Sequence, residues 1–298
     1  TRPQSEILPE HLRFIDMALD CCDRTDSYPD DAKFRWTCES LWAVEEYLRR
    51  RPAEQIERFR RRVAEGRIEV TAMRLNMSEI ATESSLAASL RAIRTVRDEL
   101  GIPVRLAMQN DVNGAAWCLV DYFQASGIKY LTMGINQTRS LRPFDRPTVF
   151  WWESPAGRRV LAFRAEHYHM GNRWGVHEGK AETFEPHLLK YLHSLYAKGY
   201  PYDAVSVQYS GITTDNSPPA TTACDLIRTW NETHAAPKLR SATASEFMEY
   251  VAAGHAESLP VYRAAWPDWW TDGFGSAARE TAKSREIHAG LQATQGLL

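Results

Sequence analysis

Apolar positions along this chain recur in two rhythms that alternate. Residues 9–22 carry Leu12, Ile15, Met17 and Leu19 at helical spacing and predict an amphipathic helix. Residues 33–38 read as a strand, followed by a helix over 40–48. Pro52 opens a helix that runs to Ala64 and stops at Gly66, the expected placement of proline at a helix start and glycine past its end. A strand over 67–73 comes next. Ser84 or Ser85 then caps a helix through Leu100, closed by Gly101 and Pro103.

The apolar run 104–109 predicts a strand that ends on Asn110-Asp111. A tight Asn113-Gly114 turn follows, then a helix from Ala115 to Gly127 and a strand over 128–133. Residues 148–152 and 159–163 read as a hairpin turned through Pro155-Ala156-Gly157. Further on the pattern predicts a helix over 183–198, a strand over 204–209 and a polar loop over 210–217. Pro218 and Pro219 open a helix to Thr233, and 238–242 is a short strand. Thr243-x-x-Glu246 forms a capping box for the next helix, and the chain ends in a helix over 276–298. Strands alternating with helices through short links argue a parallel sheet or barrel, with chemistry on the loops after the strands. No internal repeat, low-complexity stretch or linker interrupts the pattern, so residues 1–298 read as a single domain. The chain opens on Thr1 and ends inside a helical pattern, as a piece of a longer multidomain protein would.

Composition narrows the function classes. With 298 residues, 44% of them hydrophobic, the chain can bury a sizeable core. A net charge of −2 with mixed signs gives no nucleic-acid footprint. Arg49–Arg51 and Arg60–Arg62 share their helices with Glu45, Glu46, Glu54 and Glu57, and read as solvated helix faces. Five cysteines without C-x-x-C spacing argue against a disulfide framework or a cysteine zinc site. They suit a reducing compartment. With no signal peptide and no apolar run long enough to span a bilayer, the reading is a cytoplasmic protein. Walker-A, G-x-G-x-x-G, G-x-S-x-G and H-E-x-x-H motifs do not occur.

Two carboxylates share one kind of place: Asp111 follows one strand, and Asp215 lies in the loop after another. On a parallel barrel both would project onto one rim, and two carboxylates on one rim are the minimum kit for glycoside hydrolysis. Either could instead serve local structure, as Asp and Asn favour turns and helix caps. His167 and His169, in Glu166-His-Tyr-His169, would share a face if extended; that spacing suits a metal or a substrate contact. Ten Trp and twelve Tyr are a high load, with pairs beside acids at Trp151-Trp152-Glu153 and Asp268-Trp269-Trp270. Such plates suit the C–H faces of sugars; the alternative is core packing.

At this point five stretches resemble one family. They are Phe34-Arg-Trp-Thr-Cys-Glu39; Glu65-Gly-Arg-Ile-Glu69 with Asn76-Met-Ser-Glu79; Gln109-Asn-Asp-Val-Asn-Gly114; Ser210-Gly-Ile-Thr-Thr-Asp215; and Trp269-Trp-Thr-Asp-Gly-Phe-Gly-Ser276. Together they are similar to the N-terminal catalytic domain of the family 38 glycoside hydrolases, the retaining zinc-dependent α-mannosidases, in a divergent bacterial-type branch. The resemblance implies a seven-stranded β/α barrel of the glycoside hydrolase and deacetylase type, its first strand missing from the chain. It implies Asp111 as nucleophile and zinc ligand, Asp215 as acid/base, and Trp270 with Trp269 lining the sugar subsite. Asn136 stands where the family has an arginine near the next strand end. The family's H-x-D and H-H-D metal motifs do not occur here, so the remaining zinc ligands are expected outside the chain. The missing domains would be the place for any contact between copies in a homo-oligomer. The expected function is a retaining, metal-dependent α-glycosidase acting on a carbohydrate. The alternatives are a metal-dependent carbohydrate deacetylase, which would need His167 and His169 to reach Asp111, and an inactive carbohydrate-binding module.

Overall fold

The computed structural model describes residues 3–76, 81–111, 114–136, 144–213, 216–266 and 271–297. Helix α1 (Gln4–Arg24) leads into strand β1 (Trp36–Cys38), then helices α2 (Leu41–Arg50) and α3 (Ala53–Ala64) and strand β2 (Ile68–Val70). Helices α4 (Glu83–Ser89) and α5 (Arg91–Arg94) replace the single helix expected over this stretch; α5 runs on into a π turn over Thr95–Glu99. The N-cap is Thr82, whose hydroxyl accepts the Ser85 N–H, rather than either serine. Strand β3 (Leu106–Asn110), helix α6 (Leu119–Ala125) and strands β4 (Tyr130–Gly134), β5 (Thr148–Glu153) and β6 (Arg159–Ala165) form the centre. Helices α7 (Met170–Arg173), α8 (Ala181–Ala197), α9 (Thr222–Thr233) and α10 (Ala244–His255) follow, then strand β7 (Val261–Tyr262) and helices α11 (Thr271–Ser276) and α12 (Ala278–Leu297). The capping box at α10 is formed, with the Thr243 N–H donating to Glu246 at 2.8 Å.

The expected seven-stranded barrel is not the architecture. Five strands form a mixed sheet in the order β3-β4-β6-β5-β7, and β1 and β2 form a separate parallel pair. A single parallel bridge, Ala72 to Ala107, links the pair to the sheet. The hairpin explains the difference. Strand β5 turns back antiparallel along β6 and occupies the edge where a further parallel strand would dock. Residues 204–209, expected as a strand, form no ladder; the Gln208 carbonyl instead accepts the Gly171 N–H at 2.8 Å. Residues 238–242 likewise form no ladder, with Leu239 N–H on the side chain of Asn231 in α9 and Ser241 N–H on the Asp31 carbonyl.

Both faces of the central sheet are covered, so its parallel strands are apolar on both sides. All five residues of β3 are buried. Ala107, Leu131, Met133, Val160, Ala162, Phe150 and Trp152 face the larger core, which they share with α1 and α2. Leu106, Met108, Leu161, Phe163 and Val149 face Phe247, Met248 and Val251 of α10. A third cluster joins Trp174, Phe184 and Leu188 to Leu226 and Trp230. All five cysteines are free thiols. Among the described residues no helix is long and apolar enough to cross a membrane.

Arg62 departs from the solvated face that its neighbours suggest. It is buried and reaches Asp26 at 2.6 Å, Glu65 at 2.6 Å and Asp23. Arg58 adds bonds to Asp20 at 2.7 Å and Asp23 at 2.5 Å, so α3 is tied to α1 through charges. The Arg62 hydrogen bond holds the Asp26 carboxyl below its ordinary range. For Asp23, burial pulls upward, but the bonds from Arg62 and Arg58 outweigh it and lower its pKa too. A carboxyl depressed on folding contributes stability above its unfolded pKa and loses it as pH falls through the folded value. Denaturant midpoints measured downward from pH 5 should therefore fall, and Arg62→Met should flatten that acid limb. A variant that keeps the wild-type slope would show that these pairs carry no linkage.

Candidate functional site

Strands β3, β4 and β6 run parallel and in register, with Asn110, Gly134 and Ala165 at one level. Whatever follows each of them therefore meets at a single carboxyl edge. Asp111 follows β3, Asn136 lies two residues past β4, and Glu166 and His167 follow β6. Glu39, just past β1, and Asn76, beyond β2, extend the same edge.

Asp111 has φ 66°, a left-handed backbone that Asp and Asn enter more readily than most residues. Its N–H donates to the Gly134 carbonyl at 2.9 Å. Asn136 Nδ2 donates to the Asp111 carboxylate at 2.7 Å, so these two candidate residues are brought together. Gln109 Nε2 donates to the Gly114 carbonyl at 3.0 Å. The helix expected from Ala115 starts at Leu119, because Ala115 is drawn into an antiparallel bridge with Trp266. That bridge sets Trp266 beside Ala115, four residues past Asp111. Trp269 and Trp270 themselves lie outside the described residues, as does Asp215. The base of the 210–217 loop is tied to the stretch after β6: Asn172 Nδ2 donates to the carbonyls of Gly211 and Thr213, and the Ser210 hydroxyl donates to the Tyr168 carbonyl.

At the end of β6 a buried pair, Arg164 and Glu166, meets at 3.4 Å, and Arg164 also donates to the Phe144 carbonyl at 3.0 Å. His167 is buried, with its ring centroid 4.1 Å from that of His169. Burial pushes the His167 pKa down to about 4, so the ring is neutral near pH 7. Its Nδ1 accepts the His169 N–H at 3.3 Å, which puts the ring proton on Nε2 as a donor. His169 Nε2 accepts from Arg173 at 3.3 Å. Both imidazoles are thus held in protein hydrogen bonds.

The donor chemistry does not fit a complete zinc site. Among the described residues no group of three His, Cys, Asp or Glu side chains converges as metal ligands, so Asp111, His167 and His169 do not make the set that a deacetylase needs.

Several residues at this edge have no role assigned to them from the sequence. Asn110 Oδ1 accepts from Gly134 N–H at 2.9 Å and from Gln208 Nε2 at 3.3 Å. Asn76 Nδ2 donates to the Asn110 carbonyl at 3.3 Å and to Glu39. The pair of carboxamides, Gln109 and Asn110, that closes an apolar run is the one signal that points to Asn110; Gln208 gives none.

Comparisons with known proteins bear on this edge. The family model "Glycosyl hydrolases family 38 N-terminal domain" matches residues 1–265. An α-mannosidase structure from Enterococcus faecalis V583 superposes with a TM-score of 0.68 at 16% identity, covering 89% of this chain and 29% of that one. A glycosyl hydrolase family 38 protein from Enterococcus faecalis gives a TM-score of 0.57 at 14% identity, over 86% of this chain and 26% of that one. The 4-α-glucanotransferase of Thermococcus litoralis is similar at a TM-score of 0.51 and 13% identity, over 83% and 36%. At such identities the likeness is one of fold, and the chain spans less than a third of the length of the first two. No curated protein matches the chain. With the family model spanning all of the β3, β4 and β6 edge, the chain belongs to glycosyl hydrolase family 38, as its N-terminal domain.

Proposed function

We propose that this chain is the catalytic part of an α-mannosidase-like glycoside hydrolase that works with retention. The observation that carries the reading is the Asp111 carboxylate at the carboxyl edge of β3, oriented by Asn136 at 2.7 Å. In the proposed reaction Asp111 attacks the anomeric carbon as the bond to the leaving oxygen breaks, and Asp215 gives that oxygen its proton. Water then attacks the glycosyl-enzyme, loses its proton to Asp215, and frees Asp111. Retention requires the two carboxyl groups to stand roughly 5–5.5 Å apart. His167 offers its Nε2–H to a sugar hydroxyl, Trp269 and Trp270 supply stacking surface, and His169 and Asn136 add polar contacts. The family resemblance also assigns Asp111 to a zinc ion. The described residues do not complete that site, and each step above runs on the chain's own groups.

The test is a panel of aryl α-glycosides offered to the full-length protein, with added zinc and with a chelator. Turnover of the α-mannoside with an α-configured first product is expected. Acetate release from acetylated sugars would favour a deacetylase instead. Sugar binding without turnover would favour an inactive module.

A further inference from the structure

We infer that Asn110 is the positioning residue that holds Asp111 in its left-handed conformation, through a clamp on the single peptide plane that joins the two. The inference rests on the reading of Asp111 as nucleophile for its consequence in catalysis, and on the geometry alone for the clamp. A non-glycine residue persists at positive φ only where its surroundings over-determine it. Here they do. The peptide plane between Asn110 and Asp111 is fixed at both ends. Its carbonyl accepts from Asn76 Nδ2 at 3.3 Å, and its N–H donates to the Gly134 carbonyl at 2.9 Å. The Asn110 side chain then takes the other half of Gly134, accepting that residue's N–H at 2.9 Å. Asn110, the last residue of β3, and Asp111 after it thus grip both backbone groups of the last residue of β4.

The orientation of the Asn110 amide is settled by chemistry. A backbone N–H can only donate, so the atom facing Gly134 is the oxygen. That same oxygen takes the Gln208 Nε2–H at 3.3 Å, which brings residues 204–209 to the clamp without a ladder. Glu39 accepts from the amide of Asn76 that holds the plane's carbonyl. With the plane locked on one side and the carboxylate held by Asn136 on the other, the torsions between them have little freedom. Asn110 itself is 6% exposed, so water is poorly placed to replace these bonds. Nothing in this arrangement requires Asn110 to touch substrate; it acts through Asp111.

The experiment uses the full-length protein and two readouts. Hydrogen–deuterium exchange is followed in peptides covering residues 106–111 and 130–136, and aryl α-mannoside kinetics are measured alongside. Asn110→Ala should speed exchange at the Asp111 and Gly134 amides about tenfold or more while the interior of β3 keeps its protection. Asn110→Asp keeps the accepting oxygen and should restore that protection. On substrate, Asn110→Ala should lower kcat about thirtyfold with KM within about threefold, the pattern of an interaction realised in the transition state. Unchanged exchange in Asn110→Ala, or equal loss in Asn110→Asp, overturns the clamp. Should Asn110→Ala not fold, Gln208→Met removes one donor to the same oxygen. It should give a smaller increase in exchange at the same two amides, and no increase there counts against the clamp. A wild-type protein with no glycosidase turnover would overturn the proposed function, and the exchange result would still decide the clamp.

Discussion

Asp111→Asn should lower kcat on an aryl α-mannoside by at least about a thousandfold, on the order of 4 kcal/mol of barrier. The substitution isolates the chemistry with little structural noise. Asparagine is, with aspartate, among the residues that enter positive φ most readily, so the 66° backbone should persist. The new carboxamide oxygen can still accept from Asn136, and the backbone N–H still donates to Gly134. What disappears is the negative charge and the nucleophilic oxygen, which no neighbour on β3 supplies: Gln109 and Asn110 are both neutral amides. Asp111→Ala is the poorer probe, since it adds backbone strain to the lost carboxylate. Steady-state kinetics with a thermal melt of the same preparation decide the matter. An Asp111→Asn enzyme with a wild-type melt and more than about one-hundredth of wild-type turnover would remove Asp111 from the nucleophile role.

The strand end that places Asp111 was legible because two local signals coincide there. An apolar run stops, and Asn110 and Asp111 follow. Each depends on near neighbours, and near neighbours are what a sequence displays. The same holds for the 148–163 hairpin and the Thr243 capping box. The barrel failed for the opposite reason. The hairpin itself could be read, but its consequence depends on which edge of β6 the returning strand occupies, and that is a long-range choice. Residues 204–209 have strand-like alternation, yet the Gln208 carbonyl takes the Gly171 N–H of α7 and no ladder forms. Arg62 looked solvated until α1 brought Asp23 and Asp26 against it from more than thirty residues away. Gln208 is the extreme case: its partner Asn110 lies 98 residues earlier, and a single glutamine in an extended run announces nothing.

Gly134→Ala should destabilise the protein by about 2–3 kcal/mol, the range for forcing one methyl into a packed interior. Gly134 ends β4 with an ordinary backbone, so the argument is one of space rather than torsion. A Cβ built there would meet Gln208 Oε1 and Asn110 Oδ1 nearer than real Cβ atoms approach anything, and would lie 2.8 Å from Tyr168 Cβ. The glutamine end can swing clear, but the other two contacts yield less easily. Asn110 Oδ1 is in place because it accepts the Gly134 N–H, so moving it breaks a bond made by the substituted residue itself. Tyr168 Cβ moves only with the backbone after β6, whose carbonyl at Tyr168 holds the Ser210 hydroxyl. The methyl therefore loads three elements of the candidate site at once, and turnover should fall further than in Asn110→Ala. Gly254→Ala is the control. It lies in α10 with open space around its added Cβ, and exchanging a helical glycine there should be neutral or stabilising by up to about 1 kcal/mol. Thermal melts of the two variants should differ by roughly 4–16 °C. Equal melting temperatures would mean that the carboxyl ends of β3 and β4 are not packed as closely as the Asn110, Gly134 and Gln208 contacts require.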